Sequence, residues 1–337
     1  MTTSARSAFA ESITAAISAA MPAHGAAPVD ASPIELTELR PLTGGASLET
    51  WRAQLRTGQG SAPIIIRRDR PGVPTSSRRD EAELLRVVHR AGVPVPRVLA
   101  ESVDGDSPAF FVMEFLEGET IPRKLLRDER FAAARPKLGA QVGEALARIH
   151  TVSVDQIGFL GPATTAESAL AGLVSYLRGS GVQSPVLELA VRWLAANLPE
   201  PVAPALVHGD VRTGNLMVEE SGLSAVLDWE LAHAGQPAED LGWFCVRAWR
   251  FGADDKPAGG FTGRAELLRA YVAAGGRPIS PADLRFWETY GTLKWAVTCL
   301  TQFDIHRRGD VRSVELAAIG RRLIEAEYDL LLLLEGL

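Results

Sequence analysis

The chain has 337 residues, 46% of them apolar and 23% charged, and a formal net charge of -6. That length can bury a full core in about two domains or lobes, and the acidic balance excludes a general attraction for nucleic acid or anionic membrane while leaving room for a local basic cleft. Cys245 and Cys299 sit in apolar surroundings with no metal-ligand pattern, so a reducing, cytoplasmic setting is expected, and no apolar run reaches the roughly 18 residues that span a bilayer.

The first 30 residues are rich in alanine, but Glu11, Ser12 and Thr14 interrupt the apolar run as a signal sequence would not; either a short amphipathic helix or a loose tail is expected. IELTELRPL, TWRAQLRT and SAPIIIRRD then read as three strands separated by glycine-bearing turns. Residues 79–90 switch to helical spacing through Leu84, Leu85 and Val88, closed by Gly92. VPVPRVLAESVDGDSPAFFVMEFLEG returns to extended structure, with a hairpin expected at Asp104-Gly105-Asp106.

Beyond Gly118 the pattern becomes helical, at 132–149, 166–177, 184–197, 265–274, 281–303 and from 311 to the C-terminus. Two short strands interrupt it, NLMVEE and GLSAVLDWE, joined by a Ser221-Gly222 turn. The terminal leucine run, Leu330 to Leu334, reads as the buried face of a last helix or as a subunit contact. The expectation is an α+β chain: a leader over 1–30, a small, mainly antiparallel β N-lobe over 31–116, and a larger, mainly helical C-lobe over 117–337. Nothing in the charge chooses between a monomer and a homodimer.

The chemistry-bearing residues concentrate in ALVHGDVRTGNLMVEESGLSAVLDWE, where His208, Asp210, Asn215 and Asp228 fall within a loop and hairpin. A carboxylate on a rigid loop orients a hydroxyl and accepts its proton, the task assigned to Asp210. Asn215 and Asp228 offer hard oxygen ligands of the type Mg²⁺ uses while it bridges nucleotide phosphates, and the Ser221-Gly222 turn brings the two together. His208 either moves a proton or orients the loop, and Arg212 either neutralises phosphate or pairs with a carboxylate.

HGDVRTGNLMV, VLDWELAHAG and EDLGWFCVRAWRFG resemble the catalytic loop and metal aspartate of the aminoglycoside phosphotransferase and choline kinase superfamily. The resemblance is nearest to the phosphotransferase-like branch found alone in bacteria or fused to acyl-CoA dehydrogenases, and it runs over residues 36–323. It implies a protein-kinase-like two-lobed fold, ATP and Mg²⁺ as cofactors, and transfer of the γ-phosphoryl group to the hydroxyl of a small-molecule acceptor. Asp210 is then the base, Asn215 and Asp228 are the metal ligands, and Asp240 with Gly242 forms a second acidic motif in which Asp240 braces the loop by accepting backbone hydrogen bonds.

On the nucleotide side, the resemblance makes TGGASLET a loop over the triphosphate, with Gly44 and Gly45 allowing close backbone approach and Ser47 donating; read alone, it is equally an ordinary turn. The lysine that kinases carry on the third strand is replaced by arginine in IIIRRD. Strand alternation selects Arg67, on the face of Ile65, with Arg68 as the neighbour not excluded. Glu81 is its expected helix partner, a solvent-facing glutamate being the alternative. FFVMEFLEG looks like the hinge lining an adenine pocket, with Met113 at the rear and backbone groups of Glu114 and Leu116 bonding the base; Phe111 and Met113 fit an ordinary core as well.

The acceptor side is least defined. Glu230, Trp243, Arg247, Trp249, Trp287, Tyr290 and Trp295 line either an acceptor groove or the C-lobe core. The fused relatives suggest a hydroxylated acyl or acyl-CoA-like acceptor. An aminoglycoside, amino-sugar or amino-alcohol kinase is the second reading, and a regulatory pseudokinase that binds nucleotide the third.

Overall fold

The computed structural model describes residues 3–20, 34–42, 48–58, 60–69, 77–102 and 108–336. The chain divides into two compact units, Met1–Glu117 and Gly118–Leu337.

In the first unit, helix α1 (Thr3–Ala20) precedes β1 (Glu35–Pro41), β2 (Leu48–Thr57) and β3 (Gly60–Asp69), then α2 (Arg78–Arg90), β4 (Val98–Glu101) and β5 (Phe110–Glu114). The strands form one antiparallel sheet in the order β1-β2-β3-β5-β4. Because side chains alternate along a strand, β3 distributes its residues between two faces. Ile64 and Ile66 join Phe9, Ile13 and Ile17 of α1 in one apolar cluster, and Arg68, of the same parity, lies 4.3 Å from the centre of the Phe9 ring. Ile65 and Arg67 take the opposite face, where Arg67 meets Glu81 of α2.

The N-terminal tract is therefore a helix docked on the sheet. Phe9, Ile13 and Ile17 recur every four residues on one stripe, the spacing that lets a helix bury a single face. Helix α2 starts where Ser77 accepts a hydrogen bond from the Asp80 amide, and Asp80 and Glu81 add negative charge to its first turn. The hairpin expected at Asp104-Gly105-Asp106 lies outside the described residues.

The second unit contains α3 (Pro122–Arg127), α4 (Arg135–Ile149), α5 (Ala166–Ser180), α6 (Pro185–Ala196), β6 (Ala205–Val207), β7 (Leu216–Glu219), β8 (Gly222–Val226) and β9 (His233–Gly235). It continues through α7 (Ala238–Cys245), α8 (Arg264–Ala273), α9 (Pro281–Arg308), α10 (Val314–Arg321) and α11 (Leu323–Glu335). β6 pairs with β9, and β7 with β8. The 28-residue α9 is the central strut, packed against α5, α6, α7, α10 and α11.

Two helix boundaries differ from expectation for local reasons. α4 starts at Arg135 rather than 132 because Pro136 sits in its first turn, where its missing N–H costs nothing. The single helix expected from 311 onward is two: Ser313 caps α10 through the Leu316 amide, and a turn at Arg322 separates it from α11. In the leucine run, Leu330 is buried and Leu331 exposed. Among the described residues, no helix is long and apolar enough to cross a membrane. The architecture is a kinase-like α+β fold with a small antiparallel β unit and a larger helical one.

Candidate active site

The loop that follows β6 is held from three directions. At Gly209 the backbone takes φ +78, and a Cβ there would collide with the Leu231 carbonyl, so glycine alone fits. Asp240, in the first turn of α7 and wholly buried, accepts hydrogen bonds from the amides of His208 (2.8 Å) and Gly209 (2.9 Å). Its Oδ2 also meets Nε2 of His150 (3.1 Å), whose Nδ1 meets the Tyr271 hydroxyl (2.9 Å). Burial alone would raise the Asp240 pKa; His150, His208 and the backbone donors outweigh it and hold the carboxyl below its ordinary range. From α9, Lys294 donates to the Gly209 carbonyl (2.9 Å), so both ends of that residue are clamped.

His208 is fully buried against Trp229, ring centres 4.4 Å apart. Its Nδ1 accepts from the Asp210 amide (3.2 Å), which puts the proton on Nε2, where it is donated to the Leu227 carbonyl (3.1 Å). Burial pushes its pKa down in spite of Asp240, Asp210 and Asp228. Both ring nitrogens are occupied within the fold.

Asp210 receives three side-chain donors. Trp243 Nε1 donates to Oδ1 (3.0 Å), while Arg212 Nε (3.2 Å) and Asn215 Nδ2 (2.7 Å) donate to Oδ2. Asn215 Nδ2 donates as well to the Asp210 carbonyl (2.8 Å). With both amide hydrogens committed, the orientation of Asn215 is set and its side-chain oxygen is the end left to bind something else. Asn215 immediately precedes β7, and its backbone carbonyl accepts from the Leu227 amide (2.8 Å) just after β8. The hairpin thus closes Asn215 onto the segment bearing Asp228, whose backbone lies at φ +69, a region that non-glycine residues enter at a cost and that recurs at functional sites. Among the described residues no three His, Cys, Asp or Glu side chains form a cage. One carboxylate and one amide oxygen are nonetheless a donor set suited to Mg²⁺, which takes few protein ligands.

Gly242, beside Asp240 on α7, has a packing reason: a Cβ there would lie 2.5 Å from the Trp287 backbone, so glycine lets α7 press onto α9.

In the first unit, Arg67 Nη1 pairs with Glu81 Oε1 at 2.6 Å, both side chains largely buried. Glu81 also binds Arg78, which reaches Asp69 at 2.9 Å. Arg68 turns instead toward Phe9 and Glu49. Met113 and Glu114 end β5 opposite Ile65 and Ile64, and Leu116 follows, half-buried. The Glu114 amide donates to the Arg97 carbonyl (3.0 Å) and so has no donor left for a base. Gly44, Gly45 and Ser47 lie outside the described residues.

The residues considered for an acceptor groove separate into groups. Trp243, Trp249 and Trp295 form a continuous row, with ring centres 5.1 Å and 4.9 Å apart, starting at Asp210. Lys294, Arg212 and Arg322 lie over the faces of Trp243, Trp249 and Trp295 at 4.8, 5.3 and 5.1 Å. Trp287 and Tyr290 pack on each other instead, and all five rings are buried as part of the core. Arg247 belongs to an ion cluster with Asp254 (2.6 Å) and Asp329 (3.3 Å). Glu230 is half-buried two residues past Asp228.

The sequence reading missed His150, Tyr271 and Lys294. No spacing links His150 or Tyr271 to residue 240; Lys294 alone carried a signal, as a lysine stranded in the apolar run GTLKWAV.

Known proteins resemble this chain throughout. Mouse acyl-CoA dehydrogenase family member 10 is 28% identical over 225 residues, 62% of this chain but only 20% of that protein. A solved Ralstonia eutropha structure, provisionally assigned as an aminoglycoside phosphotransferase, superposes with a TM-score of 0.73 at 24% identity, covering 96% of this chain and 98% of its own. Aminoglycoside phosphotransferase APH(4)-Ia, solved as a thermostable mutant with AMP-PNP and hygromycin B, gives a TM-score of 0.60 at 16% identity over 88% and 94% of the two chains. With the family profile matching residues 38–287, the chain belongs to the phosphotransferase enzyme family.

Proposed function

We propose that the chain is an ATP- and Mg²⁺-dependent small-molecule kinase that moves the γ-phosphoryl group to an acceptor hydroxyl. The observation that carries this reading is the commitment of both Asn215 amide hydrogens to Asp210, which leaves the Asn215 side-chain oxygen for another partner next to the Asp228 segment. Asn215 and Asp228 would hold Mg²⁺, which supplies positive charge to the phosphate oxygens. As the acceptor oxygen bonds to phosphorus, the bond to the β,γ-bridging oxygen breaks, its electron pair leaves with ADP, and the acceptor proton passes to Asp210. His208, with both nitrogens engaged, orients the loop and takes no part in proton transfer.

Arg67, aligned by Glu81, meets the α- and β-phosphates in place of the usual lysine. The Glu114 carbonyl and the Leu116 amide bond adenine, with Met113 behind, and Gly44, Gly45 and Ser47 cover the phosphates. For the acceptor, likeness to the acyl-CoA dehydrogenase family members favours a hydroxylated acyl or acyl-CoA-like metabolite.

The test is incubation with MgATP and a mixed set of hydroxy acids, acyl-CoAs, amino alcohols and aminoglycosides, read by mass spectrometry with Asp210→Ala as control. A product one phosphoryl group heavier, absent with the variant, supports the kinase reading and names the acceptor class. Nucleotide binding with no transfer to any acceptor would favour a regulatory pseudokinase.

A further inference from the structure

We propose that Trp243 is the positioning residue for Asp210, and that the acceptor proton is received on Asp210 Oδ1 at the edge of the Trp243 indole. The inference rests on the kinase reading above and adds a residue and an atom to it.

The argument begins with the capacity of a carboxylate, about four lone-pair sites over two oxygens. Asn215 and Arg212 occupy Oδ2, and Trp243 occupies one position on Oδ1. The remaining capacity is on Oδ1. A hydroxyl that gives its proton to Asp210 must approach that oxygen, beside the edge of the Trp243 indole.

Trp243 is built for the position. It sits three residues after Asp240 on α7, the spacing that puts two side chains on one helix face. One face of one helix therefore holds the loop backbone through Asp240 and the working carboxylate through Trp243. The indole is fixed in turn: Lys294 covers its face at 4.8 Å while donating to the Gly209 carbonyl, and Gly291 leaves room for its benzo edge, where a Cβ would stand 3.2 Å from Trp243 Cε3. A tryptophan kept only for packing has no need of a 3.0 Å bond to a carboxylate that is itself only partly exposed. An N–H donated to that anion is charge-assisted and directional, and it stops rotation of the carboxylate about its last bond.

The decisive variant replaces Trp243 by β-(3-benzothienyl)alanine, which keeps the ring system and its contact with Lys294 and removes the N–H; Trp243→Phe is the coarser version. MgATP with water as acceptor is the kinetic probe, alongside any productive acceptor. The expected result is a fall in kcat of about 10–100-fold, the range for losing a group that orients a working residue, with the nucleotide dissociation constant unchanged. An isostere with wild-type kcat overturns the inference, as does a loss that tracks weakened nucleotide binding. Independently of turnover, the indole N–H resonance of Trp243, identified by its absence in Trp243→Phe, should move upfield in Asp210→Ala further than any other indole; an unmoved resonance also overturns it. A wild-type protein silent toward water and every acceptor, with the indole still coupled to Asp210, would defeat the kinase reading and leave the contact standing.

Discussion

Arg67 in the first unit and the Asp210 loop in the second are held by different means. In the first, Arg67, Glu81, Arg78 and Asp69 form side-chain ion pairs between a strand and the next helix. In the second, the loop bearing Asp210 is held by its backbone, and the holding groups come from far away: Asp240 is 32 residues from His208, and Lys294 is 85 from Gly209. A pair of side chains can adjust to a substitution with a local rearrangement. A peptide clamped on both sides by buried groups cannot, so changes to the clamps of the Asp210 loop should cost the fold and changes to the Arg67 pairs should be felt in binding.

The largest effect is expected at Asp240. Asp240→Ala leaves two buried amides and His150 without their acceptor, and removal of one member of a buried charged network costs about 3–5 kcal/mol. Urea unfolding should show this as a lower midpoint. Arg67→Lys keeps the charge beside Glu81 and should change stability by about 1 kcal/mol or less while altering the nucleotide dissociation constant in calorimetry. If Arg67→Lys unfolded the protein more readily than Asp240→Ala, the contrast between the units would be lost.

Much of this contrast was legible in the residues. Alternation along β3 put Arg67 on the face of Ile65, because period two leaves a strand no other choice. The turn at Ser221-Gly222 was enough to bring Asn215 next to the Asp228 segment, since a hairpin closes its own ends. The brace around Asp240 was only half legible: the aspartate stands in a recognisable motif, but His150 and Tyr271 reach it through packing of α4 on α8, which no local pattern encodes. The tryptophans show the same limit. Trp287 and Trp295 both lie buried on α9, and only the helices around it decide that one packs on Tyr290 and the other joins the row from Asp210.

A second stability test sharpens the comparison from the other side. Phe9 anchors α1 on the first unit's sheet, ring centres 5.9 Å from Trp51 and 5.7 Å from Phe110, so Phe9→Ala should cost about 3 kcal/mol by leaving a cavity. Here apolar burial, rather than a polar brace, carries the local stability. Unfolding followed at the indoles should reveal the loss.

Gly242→Ala should cost about 1–3 kcal/mol by overpacking, because its Cβ meets helix backbone that cannot yield. Gly172→Ala, in α5 with open space around its Cβ, is the control and should stabilise by up to about 1 kcal/mol through helix propensity. Opposite signs for the same chemical change would locate the rigidity in the α7–α9 contact.

The smallest effect concerns pH. Burial alone would lower the His233 pKa, but Glu239, through its hydrogen bond (3.2 Å) and charge, and the Leu231 carbonyl (2.9 Å) prevail and raise it above the ordinary value. A histidine with a raised folded pKa adds stability that is fully present below its unfolded pKa of about 6.5 and is lost as pH climbs through the folded value. His233→Gln should therefore be less stable than the wild type by about 1 kcal/mol or less below pH 6.5, with the gap closing as pH rises. The closing is the informative part. Glu239 also lies 3.6 Å from Lys294, so neutralising His233 leaves that lysine its carboxylate and the Gly209 carbonyl its donor. A gap that widened with pH would mean that His233 is favoured neutral and that Glu239 serves Lys294 alone.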